Sequence, residues 1–415
     1  MNRPSLRIGF VSTRLAGHDG VSLEAFKWAD VLEQLGHDCF YFSGECDRPA
    51  DRSMVVSEAH FQHTQVRRLN HDLFDRLHRD ADTIRTLRKL SDHLQEKLKT
   101  FIERFGINLL IAENVLSLPM NLPLASALTL LIAETGLPTV GHHHDFAWER
   151  QRYARHMASD FLAAHFPPPL EAIRHVVINT FAGHQLARRT GVSASVIPNV
   201  MDFEKPPSNT EDRCEQLRAH LGIEPGTHFL LQPTRIVPRK RIEHAITLAA
   251  WLDEPCALVI SHTSGDEGDE YKQYIRKFAE SMDVRLIFAD RTVVPDADGT
   301  PNGDRPRFEL ADFYRAADLV TYPSQVEGFG NAFLEAIYYR RPIVMSTYEI
   351  FKTDIEPKGF EVIGFEGFIT EQTLEQTRRV LHDKAHAQRM TDHNHRLATE
   401  HYSFGRLKKM LGGLF

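Results

Sequence analysis

Short apolar runs alternate with helical patterns along the whole chain. Runs typical of strands fall at 6–13, 38–44, 109–114, 138–143 and 175–179 in the first half, and at 228–234, 256–261, 284–289, 319–323 and 342–346 in the second. Continuously apolar runs separated by helices are characteristic of parallel strands that are covered on both faces. The pattern therefore predicts two α/β domains, each with a largely parallel sheet.

A polar, proline-rich segment separates the two halves. The sequence PPSN at 206–209 interrupts the alternation, and a chain of 415 residues suits two domains of roughly 200 residues each. We predict an N-terminal domain at 1–204, a C-terminal domain at 205–395 and a C-terminal helix at 396–415 that packs back toward the first domain. Ligands of doubly wound sheets bind at the carboxyl ends of the strands, so we expect an interdomain active site.

Two further segments stand out from the alternation. Residues 65–104 carry interleaved arginines and acids and predict one long helix with a solvated face. Residues 291–307 are rich in proline, glycine and aspartate without an apolar period, which indicates a long loop. Whether this loop is a lid or is disordered stays open at this stage.

Composition narrows the class of protein. The chain is 42% hydrophobic and 25% charged, as ordinary globular proteins are, and its net charge of −7 argues against a nucleic-acid-binding protein. Its four scattered cysteines predict neither a disulfide framework nor a structural zinc site. No signal-peptide pattern and no apolar run of roughly 18 residues is present. We expect a cytoplasmic protein with small partners and no transmembrane segment, and a homo-oligomer is neither predicted nor excluded.

The stretch EGFGNAFLE, residues 327 to 335, places two carboxylates around a glycine-rich bend. Gly328 and Gly330 allow close approach of a ligand and positive φ, and the helix is expected to begin near Asn331. Glu335 then lies one turn into the helix, where it can accept both hydroxyls of a ribose, and Glu327 can accept sugar hydroxyls. The structural alternative is a turn residue and a helix N-terminal acid.

This stretch resembles the E-x7-E signature of the retaining glycosyltransferases of family 4, also called glycosyltransferase group 1. The preceding FELADFYRAADLVTYPSQVEGFG is similar to the same family, and the match continues in order across nearly the whole chain. The resemblance implies the GT-B fold, with two Rossmann-like domains and an interdomain cleft. It also implies that Glu327 meets the transferred hexose and Glu335 the nucleotide ribose.

A second cluster, PTRIVPRKRIEHAI, resembles the family segment that holds the donor diphosphate. The resemblance assigns this role to Arg235 and Lys240, five residues apart in the sequence. Two phosphates in a cleft need fixed cations, both for binding and for stabilising the departing nucleoside diphosphate. Arg239 and Arg241 are interpreted as surface charges.

Glycines also follow the first predicted strand. In RLAGHDG, Gly17 and Gly20 match the glycine loop of the family, although they form G-x-x-G and not the usual adjacent pair. Glycines after a first strand are a weak signal alone, but their position at the start of a helix strengthens it. The donor-binding set predicted from these segments is Arg235, Lys240, Glu327, Gly328, Phe329, Gly330, Asn331, Glu335, Gly17 and Gly20.

Three consecutive histidines lie in GHHHDFAWERQRY at 141–153. Side chains alternate along a strand, so His142 and His144 are expected to share a face that His143 opposes. Imidazoles suit zinc, but no third ligand follows at a suitable spacing, and we predict no metal site. The family has a histidine at this strand end that contacts the transferred sugar. His144 matches it best, His142 is the alternative, and His143 is interpreted as structural.

The sequence gives the least information about the acceptor site. Charged and polar side chains near the same predicted cleft are candidates, although each is also compatible with plain surface. They are Arg14, His18, Asn114, Glu149, Arg150 and Arg152.

Together these features predict a retaining hexosyltransferase without cofactor or metal, in which His144, Glu327, Arg235 and Lys240 are catalytic. Its donor is expected to be a nucleotide sugar of the UDP-glucose or GDP-mannose type, and its acceptor a hydroxyl of a small polar compound, with anionic compounds included. The alternatives are a GT-B phosphorylase or epimerase-like enzyme, or a non-catalytic nucleotide-sugar-binding protein. One departure from the family is Arg340, which replaces a helix-ending glycine; a left-handed cap there costs on the order of 1 kcal/mol.

Overall fold

The computed structural model describes residues 5–17, 19–207, 211–263, 269–289 and 308–414. The predicted loop at 291–307, the acceptor candidate His18 and part of the predicted linker lie outside the described residues. Within the chain, contacts define two compact units. The first contains Met1–Asn199 and Leu407–Phe415, and the second contains Val200–Arg406.

A seven-stranded sheet forms the centre of the first unit, in the order β3-β2-β1-β4-β5-β6-β7. Its described strand pairings are all parallel. The strands are β1 (Arg7–Val11), β2 (Asp38–Ser43), β3 (Ser53–Val55), β4 (Leu109–Glu113), β5 (Thr139–His143), β6 (Ile173–Val177) and β7 (Ala194–Val196). The helices are α1 (Gly20–Gln34), α2 (Thr64–Asn70), α3 (Ala81–Phe105), α4 (Leu122–Thr135), α5 (Ser159–His165) and α6 (Thr180–Thr190).

The core of this unit follows from two kinds of apolar pattern. The five residues of β4 are all buried, as expected for a central parallel strand. Helix α3 buries Leu87, Leu94 and Leu98 at helical spacing, and this stripe packs among the apolar side chains of α4.

The single helix predicted at 65–104 is wrong. Helix α2 ends at Asn70, a π-helical turn follows at His71–Asp75, and α3 begins only at Ala81. Leu77 adopts a positive φ of 53°, which interrupts the helical conformation, and Asp80 caps α3 by accepting a hydrogen bond from the Thr83 N–H. The break between the helices lies within the charged stretch that the sequence pattern predicted to be one continuous helix.

The second unit has a six-stranded sheet in the order β10-β9-β8-β11-β12-β13, again parallel in its described pairings. Its strands are β8 (His228–Gln232), β9 (Cys256–Ile260), β10 (Arg285–Phe288), β11 (Leu319–Tyr322), β12 (Ile343–Ser346) and β13 (Ile363–Phe365). The helices are α7 (Glu211–His220), α8 (Ile242–Trp251), α9 (Glu270–Ser281), α10 (Leu310–Ala316), α11 (Asn331–Tyr338), α12 (Glu371–His382), α13 (Lys384–Tyr402) and α14 (Phe404–Leu414).

Short helical turns complete the described secondary structure. The 3₁₀ turns are Ala50–Arg52, Ser57–Ala59, Ala147–Glu149, Gln151–Tyr153, Pro238–Lys240 and Glu356–Lys358, and a second π-helical turn is Phe351–Ile355.

Both sheets reverse their strand order at one point, between β1 and β4 in the first unit and between β8 and β11 in the second. Such a switch point is where doubly wound sheets bind ligands. The prediction of two Rossmann-like domains is therefore confirmed. The short strands β3, β7 and β13 were not predicted.

Two local features bear on the predictions. Within the described part of the chain, no helix has the length and apolar character that crossing a membrane requires. Arg340, after α11, has a φ of 53°, so the left-handed helix end predicted at this arginine is confirmed.

Candidate functional site

Lys240 and Glu327 meet at the switch point of the second unit. Lys240 ends the turn that follows β8, Glu327 follows β11, and the Lys240 Nζ donates a hydrogen bond to the Glu327 Oε1. The guanidinium of Arg239 lies 3.8 Å from the Glu327 Oε2, and the Lys240 Nζ lies 5.5 Å from the ring centre of Tyr322. The two loops are thus joined by a buried ion pair.

Electrostatics favour an ionised carboxylate within this group. Burial raises the pKa of Glu327, but the charge and hydrogen bond of Lys240 outweigh burial, so the pKa is lowered. Burial lowers the pKa of Lys240, and the positive charge of Arg235 lowers it further. Two cations, Lys240 and Arg239, therefore flank one carboxylate, and the excess positive charge suits an anionic ligand. Arg239, interpreted from sequence as a surface charge, belongs to this group.

The bend before α11 requires glycine at one position. Gly330 has a φ of 116°, and a Cβ there would lie 2.3 Å from the Tyr348 hydroxyl. That hydroxyl donates to the Phe329 carbonyl oxygen at 2.6 Å, which fixes the bend. Helix α11 begins at Asn331 as predicted, and Gly328 lies exposed in the bend.

Glu335 is held by a tyrosine from a neighbouring helix. The Tyr314 hydroxyl of α10 donates to the Glu335 Oε2 at 2.6 Å. Burial and the adjacent carboxylate raise the pKa of Tyr314 well above its usual value, so it remains a donor. Phe333 and Ile337 are buried, as the predicted orientation of α11 requires.

In the first unit, Glu113 at the end of β4 accepts from two histidines at the end of β5. Its Oε2 lies 2.9 Å from the His142 Nδ1 and 3.2 Å from the His144 Nε2. The predicted shared face of His142 and His144 is confirmed by this common partner. The indole of Trp28 stacks on His142 with ring centres 4.1 Å apart.

The carboxylate sets the protonation of this cluster. Burial raises the pKa of Glu113, yet the two imidazoles outweigh it and the pKa is lowered. Burial lowers the pKa of His144, but the hydrogen bond and charge of Glu113 outweigh it, so the pKa is raised. His144 is thereby favoured in its protonated form as a hydrogen-bond donor.

The same three residues have the composition of a metal site. One ligand atom from each of Glu113, His142 and His144 lies within 4.8 Å of the others. Both imidazole nitrogens approach one oxygen of Glu113 at hydrogen-bonding distance, so the three residues form a hydrogen-bonded group. The absence of a metal ion at this group stays a prediction.

His143 points to the opposite face, as predicted. Its Nε2 lies 2.8 Å from the Nδ1 of His175, and both rings are buried. Burial lowers the pKa of His143 well below its usual value and that of His175 to about 4, so both are neutral at pH 7. The structural interpretation of His143 agrees with this position in the core.

Several acceptor candidates are engaged within the protein. Arg14 pairs with Asp19 at 3.0 Å, and Arg150 pairs with Asp145. Asn114 donates to the Asp145 Oδ1 at 2.9 Å and accepts from the His144 N–H at 3.0 Å, so it supports the loop after β5.

Glu149 and Arg152, the other described acceptor candidates, are exposed. Glu149 accepts from the Phe146 N–H at 2.8 Å and so closes its own turn. Among the described residues, no ion pair involves Arg152, whose guanidinium lies 5.7 Å from the ring centre of Tyr153. Arg152 is therefore the acceptor candidate whose charge is least committed to the protein.

The glycine loop after β1 is anchored at both sides. Gly17 has a φ of 71°, and its N–H donates to the Asp47 Oδ2 at 2.5 Å. Asp19 caps α1 by accepting from the Val21 and Ser22 N–H groups at 3.1 Å each. Gly20 is the first residue of that helix.

Sequence analysis missed Glu113 and Tyr314 as site residues. Glu113 is an acid at the end of the apolar run LLIAE, at the carboxyl end of a strand predicted to be buried, and this signal was available. Tyr314 meets Glu335 from another helix, and no local spacing reveals such a contact.

Comparisons with known proteins identify the family of the chain. The family described as Glycosyl transferases group 1 matches residues 302–396. The chain is 30% identical to a mannosylglucosylglycerate synthase of Thermotoga maritima over 98% of this chain and 99% of the relative. It is 31% identical to a mannosylglucosylglycerate synthase of Petrotoga mobilis over 86% of each.

Solved structures share the fold at low sequence identity. A sucrose-phosphate synthase from Thermosynechococcus elongatus superposes with a TM-score of 0.69 at 14% identity, covering 99% of this chain and 98% of the other. An Anabaena protein solved in complex with UDP-glucose gives a TM-score of 0.65 at 13% identity, with 99% of each chain covered.

Proposed function

Since the chain belongs to the group 1 glycosyl transferases, we propose that it transfers a hexosyl group from a nucleotide sugar to a hydroxyl of a small anionic glycoside, with retention at the anomeric carbon. The observation that carries the proposal is the group formed by Lys240, Glu327 and Arg239 at the switch point of the second unit. The positive excess of this group matches a diphosphate, and its carboxylate matches a sugar.

Lys240 and Arg235 bind the donor diphosphate. An ammonium has three N–H donors, so Lys240 can keep its bond to Glu327 and still donate to phosphate oxygens. As the sugar leaves, negative charge grows on the diphosphate, and cations fixed beforehand stabilise that charge without reorganisation. This is why the proposed transfer needs neither a metal ion nor another cofactor.

Glu327 and Glu335 orient the sugar and the ribose. Glu327 is held ionised by Lys240, so it accepts from hexose hydroxyls. Glu335 receives the Tyr314 hydroxyl on one oxygen, and we assign its carboxylate to the ribose hydroxyls. Gly330 allows the backbone before α11 to approach the donor closely.

His144 contacts the transferred sugar. Because Glu113 raises the pKa of His144, the imidazole donates a charge-assisted hydrogen bond to a sugar hydroxyl. In a same-face retaining reaction, the departing phosphate oxygen accepts the proton of the acceptor hydroxyl, and His144 and Glu327 contribute by positioning.

The acceptor follows from the relatives. Mannosylglucosylglycerate, the compound in their names, is a small glycoside with one carboxylate, so we propose a glycerate glycoside as the acceptor. Arg152 is the proposed partner of its carboxylate. A mannosyl group from GDP-mannose is the proposed donor group for the same reason.

The test combines donors and acceptors. Purified protein is incubated with GDP-mannose, UDP-glucose or ADP-glucose and with glucosylglycerate, glycerate or 3-phosphoglycerate, and products are followed by mass spectrometry. The anomeric configuration of the product is read from its one-bond carbon–proton coupling. We expect a retained glycoside of an anionic acceptor. An inverted product, phosphate-dependent release of sugar phosphate, or donor epimerisation would contradict the proposal.

A further inference from the structure

Away from the proposed active site, three side chains of the second unit converge at the amino ends of its strands. His228 is the first residue of β8, Glu254 lies two positions before the start of β9, and His382 is the last residue of α12. The His228 Nε2 lies 2.9 Å from the Glu254 Oε2, and the His382 Nε2 lies 2.8 Å from the Glu254 Oε1. Lys240 and Glu327 follow the carboxyl ends of strands, at the opposite edge of the same sheet.

We propose that His228, Glu254 and His382 form a Zn²⁺ site that joins α12 to the sheet of the second unit. One ligand atom from each residue lies within 4.8 Å of the others. Two imidazoles and one carboxylate are a known zinc ligand set, and four ligands at zinc bonding distance stand about 3.3 Å apart. The observed nitrogen–oxygen separations of 2.9 and 2.8 Å are close to this value.

The side chains of His228 and Glu254 are in close contact. The buried Glu254 Oε2 accepts no hydrogen bond among the described residues, although the His228 Nε2 is 2.9 Å away. A buried, unsatisfied carboxylate oxygen has a free-energy cost that a cation removes.

The backbone around these ligands is fixed. The His228 N–H donates to the Pro255 carbonyl at 2.8 Å, and Arg378 of α12 donates to the carbonyls of Leu252 and Trp251 at 3.3 and 3.0 Å. The turn that carries Glu254 is therefore tied both to β8 and to α12. Such preorganisation reduces the entropy that metal binding must oppose.

The site is also open on one side. The side chain of His382 is 61% exposed, whereas those of His228 and Glu254 are 20% and 19% exposed. Solvent thus supplies an entry path and a fourth ligand. Because two of the ligands are 128 positions apart in sequence, no local motif marks the site, and the scattered cysteines gave no indication of it.

The experiment uses Zn²⁺ alone as the probe. Metal-stripped full-length protein is titrated with Zn²⁺ against a chromophoric chelator, for the wild type, His382→Ala and Glu254→Gln. His184→Ala, which removes an exposed histidine of α6, is the matched control. Thermal unfolding midpoints are recorded with and without Zn²⁺. His382 is exposed, so its replacement is expected to fold with an unchanged midpoint in the absence of metal.

We expect one Zn²⁺ to bind the wild type and His184→Ala, and its affinity to fall by about tenfold or more in His382→Ala and Glu254→Gln. Zn²⁺ should raise the unfolding midpoint of the wild type and the control more than that of His382→Ala. The proposal is overturned if no Zn²⁺ binds, or if His382→Ala and the wild type bind it equally, since the metal then occupies other ligands such as the Glu113 cluster.

Discussion

The two units share a strand order but place different charges at the corresponding switch points. In the second unit one carboxylate, Glu327, faces the two cations Lys240 and Arg239. In the first unit one carboxylate, Glu113, is shared between two imidazoles. Arg14 and Arg150 of the first unit are paired with Asp19 and Asp145.

This difference separates what the fold decides from what the side chains decide. The parallel sheet of each unit has a switch point, which is where doubly wound sheets bind ligands. The charge balance then selects the ligand. A positive excess suits a diphosphate, whereas a buried carboxylate that keeps a histidine protonated suits a neutral hydroxyl.

The largest expected effect comes from removing the central cation of the second unit. Lys240→Ala should lower kcat/KM by about 2 to 4 kcal/mol of transition-state stabilisation, roughly 30- to 1,000-fold, because the departing diphosphate loses its buried cation. Initial-rate kinetics measure this loss. Lys205→Ala, an exposed lysine of the same unit, is the control and should be close to wild type. If the kinetics of Lys240→Ala were unchanged, the role of the second unit as the diphosphate site would be refuted.

A second effect concerns stability in acid and belongs to the first unit. The pKa of His175 is lowered to about 4 by burial, while an unfolded histidine titrates near 6.5. Between these values the unfolded chain binds a proton that the folded chain does not, so the free energy of unfolding decreases as pH falls from about 6.5 to 4. The loss from His175 reaches at most about 3 kcal/mol at pH 4.

Denaturant unfolding at several pH values tests this linkage. His175→Asn removes the titrating group, so its free energy of unfolding should vary less with pH than that of the wild type, whatever its stability at pH 7. His184→Asn should retain the wild-type dependence. Equal pH dependence of His175→Asn and the wild type would show that the buried pair does not oppose protonation.

A smaller effect tests the histidine cluster of the first unit. Glu113 raises the pKa of His144, so the protonated form, which is lost as pH rises, persists to higher pH in the wild type. Glu113→Gln should move the alkaline limb of the kcat/KM profile to lower pH and reduce activity above it by about tenfold, as expected for loss of a charged hydrogen-bond partner. Glu113→Asp, which keeps a carboxylate, should shift the limb less. An unshifted limb in Glu113→Gln would refute the role given to Glu113.

The smallest effect concerns the end of α11. Arg340 adopts a φ of 53°, where glycine is unstrained, and its side chain makes an exposed ion pair with Asp392. Arg340→Gly should raise the free energy of unfolding by about 0.5 to 1 kcal/mol without changing kcat/KM. Arg340→Ala removes the same ion pair and keeps the strain, so it is the control. If both variants are destabilised equally, the strain at this position is negligible.

The sequence predicted the parallel strands of both units and the helix at Asn331, because continuous apolar runs and glycine bends are local signals. It did not predict β3, β7 or β13, whose three residues are too few to show a period. It also paired Lys240 with phosphate and Glu327 with sugar without anticipating that the two side chains contact each other.

Long-range contacts account for most of what was missed at the sites. Asn114 was selected as an acceptor residue, but its amide bonds to Asp145 and to the His144 backbone, 31 and 30 positions away. Such bonds depend on which strands are neighbours in the sheet, and the spacing of polar residues does not predict the strand order. The same holds for Glu254 and His382 in the second unit.

Binding of nucleoside diphosphates tests the central claim most directly. Isothermal titration of GDP, GMP and guanosine, and of the corresponding uridine compounds, is performed with the wild type, Lys240→Ala and Lys205→Ala. The account predicts that one diphosphate binds the wild type and Lys205→Ala more tightly than its monophosphate does, and that Lys240→Ala abolishes this preference. A preference for the diphosphate that is equally strong in Lys240→Ala would contradict the assignment of the second unit as the diphosphate site.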